Sequence, residues 1–389
     1  MSKNGGLWPT IGREVRRIIR RPYYVVMTVV IPLFVTIFMG SIFGDGRMYE
    51  LPIGVVDMDF TTTSREVVRT IDASPTLHIS THYNSLHEAT SATRARQIYG
   101  YVVLPHNFEA DMIAGNETTI PYFYHYAMMS VGGEIVGTLA PLLTAISLEP
   151  IVESATALGI GPQTVQAMVE PLADDTHPLN NPTLNYADYL SLPLLFVMLQ
   201  VGIIILTTYL LGIEFKTGTA AEWLQTAGGN MFTAVAGKLL PYTLIHSLVC
   251  AAAISLLYGP LGLSHTTPLW PLMLYGLLLV LSTQSLALFL FGLYPKLGLI
   301  ISVTSMIGSL GATLSGVTFP IGSLYRVFHP MAYALPVRHF TLLCQNHIYG
   351  YGAVEWNWQN IVAMIAVCGL PALIIPRLRK TIITHRHEE

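Results

Sequence analysis

The sequence predicts an α-helical integral membrane protein with six transmembrane helices and a mixed α/β extracytoplasmic domain inserted between the first and second spans. Three features of the chain point there. Of 389 residues only 11% are charged and 52% are hydrophobic, and the mean hydropathy is +0.52; a water-facing globular surface carries roughly a quarter charged residues. Apolar windows of about 20 residues, the length that crosses a bilayer, recur six times. Between the first and second windows lies a long acidic stretch in which short β-type runs alternate with helix-type runs. A cytosolic enzyme is excluded.

Residues 1–22 hold six basic residues (Lys3, Arg13, Arg16, Arg17, Arg20 and Arg21) against Glu14 alone. Leu7, Ile11, Val15, Ile18 and Ile19 fall on one helical stripe opposite the arginines. That pattern suits an amphipathic helix lying in the inner membrane interface, or else a plain positive flank that orients the first span. The first span, 23–44, lacks a small-residue cleavage site before Asp45 and is expected to stay as a signal anchor. Basic flanks remain in the cytoplasm, so the N-terminus is expected inside and residues 45–185 exported. This segment has five basic and sixteen acidic residues and no lysine.

Within it, β-type runs at Ile53–Asp57, Leu77–His82, Tyr99–Leu104 and Ile120–Tyr126 alternate with helical runs at Ser64–Ile71, Ser85–Arg94 and Asn107–Ile113. A helical arm is expected from Gly132 to Val169. The transmembrane region, 186–376, supplies five further spans near 188–212, 236–258, 270–293, 298–317 and 359–376. Lys216, Lys238, Lys296, Arg377, Arg379 and Lys380 fall on the expected cytoplasmic side, and residues 377–389 form a cytoplasmic basic tail. Trp270, Trp356, Trp358, Tyr186 and Tyr189 mark membrane edges. Pro371 interrupts the sixth span and Pro376 is expected to end it.

The chemistry absent from the chain narrows its function. Gly237-Lys238 is followed by Leu239 without the upstream glycine of a phosphate-cradling loop. There is no HExxH or GxSxG, and Cys250, Cys344 and Cys368 have no metal-binding spacing; no metal site is expected. His385-Arg386-His387-Glu388 reads as a solvated tail. The span centres carry His246, Gln200 and Gln284 but no carboxylate, so coupling to an ion gradient is disfavoured. If the chain serves transport, the energy has to come from elsewhere, through a cytoplasmic surface. The loop 212–232 carries a short amphipathic helix, either a docking element or a helix resting on the bilayer. Gly218 precedes it and Gly228-Gly229 follow it. Trp223 and Leu224, large and apolar, are expected as exposed anchors for a partner. Glu214 is expected to cap or pair near the start of that helix, or to be a solvated boundary residue. In the fifth span Gly308, Ala312 and Gly316 recur every four residues, a stripe that lets a helix approach, in a dimer seam or within one subunit.

Loop 212–232 resembles the coupling-helix segment of type 2 ABC transporter permeases, the export family of multidrug, polysaccharide and lipid-linked substrates. Glu214 matches that family's first acid and Gly218-Thr219 its Gly-Thr. Trp223 and Leu224 lie in the helix that follows, and Thr226 stands at the Thr. Phe215 and Lys216 replace its Arg and second Glu, and Ala227 its proline. LSGVTFPIGSL (314–324), with Gly316, Phe319 and Pro320, is similar to the segment closing the family's fifth span. FHPMAYALPVRHF (328–340), with Pro330 and Arg338, resembles the re-entrant region, here 318–355. The openings of the exported segment resemble the extracellular domain of the family's larger subgroup. The resemblance implies a permease subunit of an ATP-driven exporter that is not itself an enzyme and binds no cofactor, with ATP and Mg at a separate cytoplasmic ABC ATPase subunit. It implies a homodimer or heterodimer with a second permease, with the first and fifth spans near the twofold contact. It also implies a bacterial inner membrane location with both termini cytoplasmic. A periplasmic adaptor is a further partner; nucleic acid is not. The cargo is expected to be a hydrophobic or amphiphilic drug, lipid-like molecule or envelope component. The rival readings are a non-transporting envelope module with a sensor or adaptor-anchoring domain, and an ion-coupled secondary transporter.

Overall fold

A computed structural model describes residues 5–42, 46, 48–114, 116, 118–161, 164, 185–265, 267–317, 319–349 and 354–385. The chain divides into two compact units, one of Met1–Gly44 with Asn185–Glu389 and the other of Asp45–Leu184.

The first unit opens with α1 (Leu7–Arg20). Its buried face is Thr10, Glu14 and Ile18, whereas Trp8, Val15 and Ile19 are exposed. The protein-facing side is thus the mixed polar side of the helix, and the apolar stripe read from the sequence points mostly away from the chain. α2 (Pro22–Ile42) is apolar enough to cross a membrane. A π turn at Val26–Val30 widens it, a local irregularity found frequently at functional positions.

In the second unit a four-stranded sheet runs in the order β2-β1-β3-β4. Its elements are β1 (Leu51–Asp57), α3 (Thr62–Asp72), β2 (Leu77–His82), α4 (Leu86–Arg94), β3 (Gly100–Leu104), α5 (Phe108–Ala114), β4 (Tyr122–Tyr124) and α6 (Met129–Ala157). β1 pairs in parallel with β2 and β3, and β4 closes the edge antiparallel to β3. β1 and β3 are central and covered on both faces, so Ile53, Val55, Val56, Val102, Val103 and Leu104 are all buried. Thr61 and Ser85 cap α3 and α4 by accepting from the amides of Ser64 and Glu88. α6 lays Val131, Ile135 and Leu139, one face at four-residue spacing, into the core under Leu51, Ile53 and Val102. Residues 162, 163 and 165–169 of the expected arm lie outside the described residues.

The first unit resumes with α7 (Tyr186–Lys216), α8 (Ala220–Thr226), α9 (Met231–Tyr258), α10 (Trp270–Leu293), α11 (Leu297–Ser309), α12 (Gly311–Leu314), α13 (His329–Ala334), α14 (Pro336–Ile348), α15 (Val354–Gly369) and α16 (Pro371–His385). α10 is central, touching α7, α9, α14, α15 and α16. Its crossing with α16 depends on Gly292, where a Cβ would come within 2.2 Å of Ile374. The sixth span departs from its expected end: the helix begins at Pro371 after a break and passes through Pro376 to His385. Pro376 sits one turn past that start, so the chain loses only the bond to the Ala372 carbonyl.

Among the described residues seven helices are long and apolar enough to cross a membrane. Six overlie the six windows seen in the sequence; the seventh is Met129–Leu148, within α6.

In the second unit Asp59 joins two elements. Its Oδ1 accepts from the Phe108 amide at 3.1 Å, and its Oδ2 from the Glu109 amide at 3.0 Å and the Thr61 hydroxyl at 2.7 Å. Burial alone would raise this carboxyl, but the hydrogen bonds from Thr61 and the amides of α5 outweigh it and hold it below its ordinary value. Such a carboxylate contributes its stabilisation above the unfolded value and loses it as pH falls through the folded one. Asp59→Ala should therefore weaken the start of α5 by about 1 kcal/mol at neutral pH, the worth of a helix cap. Amide exchange at 108–111 should report the loss, and the difference from wild type should vanish in acid.

A buried ion cluster beneath the loop helix

α7 ends at Lys216, and Glu214 in its last turn is fully buried. The chain then turns at Gly218 (φ +68°), a conformation that suits glycine, and re-enters a helix at Ala220. Gly228 and Gly229 (φ +75° and +83°) end that helix and lead into α9. Two consecutive left-handed residues redirect the chain within one turn of helix.

Glu214 is the centre of the site. Arg13 of α1 grips it with both terminal nitrogens, Nη1 to Oε1 at 3.0 Å and Nη2 to Oε2 at 2.8 Å. Arg17 Nη1 donates to Oε1 at 2.6 Å and Lys238 Nζ of α9 to the same oxygen at 2.7 Å. The Thr219 hydroxyl, at the start of the loop helix, donates to Oε2 at 2.6 Å. Glu14 lies alongside, accepting from Lys238 at 3.0 Å, Arg17 at 3.2 Å and Arg13 at 3.3 Å. Both carboxylates and Lys238 are 0% exposed. Three cations meet two carboxylates, leaving one net positive charge. Burial disfavours the charged form of Arg17, but Glu14 and Glu214 overcompensate and hold its pKa above the ordinary arginine value.

Trp223 lies against this cluster. It is 0% exposed, its ring faces Lys238 Nζ at 5.4 Å, and its Nε1 donates to the Ala234 carbonyl at 3.1 Å. With Leu224 it packs among Leu211, Ala234, Phe291 and Leu378. This corrects the expectation that Trp223 and Leu224 project as exposed anchors. A seven-residue helix has one apolar face, and that face is consumed by its own chain; the outward side carries Glu222 and Gln225, with Lys216, Thr217 and Gly218 exposed at its approach. α1 also clasps the end of the loop helix, the Gly6 amide donating to the Thr226 carbonyl at 2.9 Å. Beside the loop helix a concavity of about 860 Å³ is walled by Lys216, Ala221, Lys296 and Ile382.

Of the residues singled out in the sequence, Glu214, Gly218, Thr219, Trp223 and Leu224 come together here. Gly308, Ala312 and Gly316 do not form one seam. Gly308 faces Ile204 and Val201 of α7, where a Cβ would lie 3.1 Å from Ile204; Ala312 packs against the neighbouring core; and Gly316 lies beyond the last helical turn, which ends at Leu314. Gly316 (φ +87°) belongs to a second small site, under Arg338, whose Nη1 donates to the Ser315 carbonyl at 3.2 Å and whose guanidinium stacks on Tyr333 at 5.0 Å. Phe319 is exposed, Pro320 precedes a 3-10 turn at Ile321–Ser323, and Pro330 sits in the first turn of α13. The start of α14 is docked by Gln200 of α7, whose Oε1 accepts from the Val337 amide at 2.7 Å.

Sequence reasoning missed Arg13, Glu14, Arg17 and Lys238 as site residues. Two signals were present: one acid inside a basic run, and one lysine inside an apolar helix.

Removing one partner from a buried ion cluster leaves its counter-charges unpaired. Glu214→Ala should therefore cost about 3–5 kcal/mol. Glu214→Gln combined with Lys238→Met, which removes charge of both signs, should lose much less. Thermal unfolding of the detergent-solubilised protein distinguishes them; equal midpoints for the single and double variants would refute the cluster.

The family model described as ABC-2 family transporter protein matches residues 22–375. No curated protein matches the chain.

Proposed function

The chain belongs to the ABC-2 transporter family, and on that premise we propose that it is the permease subunit of an ATP-driven exporter. It moves a hydrophobic or amphiphilic substrate outward with ATP and Mg bound by a separate cytoplasmic ABC ATPase, and it has no ATPase site of its own. The observation that carries this reading is the loop helix: its inner face is fixed to α1, α7 and α9 through Glu214, Lys238 and Trp223, while Glu222 and Gln225 remain on its free side. A push on that free side is transmitted to two long apolar helices at once, because the cluster leaves no slack between them. Lys216 and Lys296 at the adjoining concavity give the docking face a basic rim.

The protein has six spans, with residues 45–185 outside the membrane and both termini in the cytoplasm of a bacterial inner membrane. The absence of lysine from 45–185 supports that orientation. The seventh apolar helix counts with the exported domain, because Val131, Ile135 and Leu139 already serve the sheet core. A second permease, identical or paralogous, pairs through α2 and α11, whose surfaces are largely uncovered in one chain: Phe34, Phe38, Leu299 and Met306 are all exposed. A periplasmic adaptor engages the exported domain.

Two measurements test this function. Cysteine at Asn116 should react with impermeant reagents added to intact cells and cysteine at Thr217 should not; the opposite pattern overturns the topology. Glu222→Lys with Gln225→Ala should leave thermal stability unchanged but weaken ATPase association roughly tenfold and abolish export, as loss of a contact hot spot does. Unchanged association and export would remove the loop helix from the coupling path.

A further inference from the structure

Between α2, α7, α9 and α11 lies a cavity of about 440 Å³. Its wall is hydrocarbon almost throughout, with Met27, Val35, Met198 and Gly202 along its length, Tyr23 at one end and His246 partway in. From Tyr23 to Val35 the first span rises twelve residues, ~18 Å at helical pitch. That is close to the depth of one leaflet's hydrocarbon, roughly 15 Å. Gly202 opens the wall: no atom lies within 4 Å of where its Cβ would be, although a mid-span glycine normally marks a close helix contact. His246 is 3% exposed, and its Nδ1 makes no hydrogen bond of normal geometry.

The Tyr23 end is basic. Arg21 donates to the Tyr23 hydroxyl at 3.4 Å, and Arg16, Arg20 and Arg21 are exposed. Of the four arginines in residues 15–42, Arg17 is held by Glu14 and Glu214, and the other three make no ion pair among the described residues. A hydrocarbon slot one leaflet deep, with uncompensated cations at its membrane-surface end, is complementary to an amphiphile with an anionic head and a chain of leaflet length.

We propose that this cavity binds one acyl chain of an anionic phospholipid from the leaflet at the Arg20–Arg21 end, with the phosphate on those arginines and the chain running past Gly202. His246 donates to the ester carbonyl, which lies below the phosphate in such a lipid. The π turn at Val26–Val30 shapes the wall on the first-span side, Met27 being one of its residues. The site holds a lipid of the surrounding membrane and requires neither ATP nor a cargo, so its failure would leave the exporter reading untouched.

The probe is phosphatidylglycerol carrying a diazirine on one acyl chain, added to the full-length protein in nanodiscs, with phosphatidylcholine bearing the same chain as comparison. Photolysis should place adducts on the peptides holding residues 27–35 and 198–206, more from phosphatidylglycerol than from phosphatidylcholine. Gly202→Leu fills open space without a clash and should lower adduct yield roughly tenfold, a tenfold weaker site, while Gly202→Ala should keep it. Arg20→Gln with Arg21→Gln should erase the preference for the anionic lipid. Adducts confined to other helices, or equal yields from Gly202→Leu and wild type, would overturn the proposal. So would efficient disulfide formation between two copies of Gly202→Cys, which would assign the opening to a second copy of the chain.

Discussion

A buried carboxylate has to be neutralised where it stands, and Glu214 sets that requirement for the membrane unit. It sits at the end of a 31-residue helix, is fully buried, and accepts from three cations drawn from two other helices. The desolvation of such a group is offset only when its geometry is well satisfied. Arg13 provides a two-pronged grip and Thr219 the remaining bond, so both oxygens are used. The consequence is positional. α1, the last turn of α7, the loop helix and the first turns of α9 are held in one arrangement, and none can shift alone without exposing or stranding a charge.

The apolar packing around the cluster follows from it. With Lys238 held by two carboxylates, its side chain forms a lid on the Trp223 ring, and Trp223 in turn bonds the first turns of α9. The loop helix is too short to be stable alone; burial of Trp223, Leu224 and Ala227 against α9, α10 and α16 supplies what its length does not. What the loop helix leaves exposed is its polar outward side, Glu222 and Gln225, and not a pair of apolar knobs.

The second unit rests on a different constraint. Central strands covered on both faces, β1 and β3, need helices on each side of the sheet. α6 meets that need on one face with residues at four-residue spacing, so a helix apolar enough to enter a membrane also serves the core of an α/β sheet. Hydropathy measures composition, and composition does not distinguish lipid from a sheet as the apolar neighbour.

Much of the architecture was legible in the sequence because it depends on local quantities. Span length follows from about 1.5 Å of rise per residue against a fixed bilayer thickness, and strand and helix runs in residues 45–185 follow from periods of two and 3.6. Gly218 and Gly228-Gly229 bounded the loop helix because positive φ is a backbone property that needs no distant partner. The site was only half legible. Glu214, Thr219 and Trp223 stood out by their order along the chain, but their partners lie more than two hundred residues away in the case of Arg13 and 24 away in the case of Lys238. Periodicity defines which residues share a face and is silent on what that face meets. The stripe at Gly308, Ala312 and Gly316 was therefore real as a pattern, and at Gly308 it serves a contact within one subunit, where α7 fills the groove. Trp223 was recognisable from its sequence as an anchor; its burial in its own chain was decided by the first turns of α9, where Lys238 covers the ring and the Ala234 carbonyl accepts from its N–H.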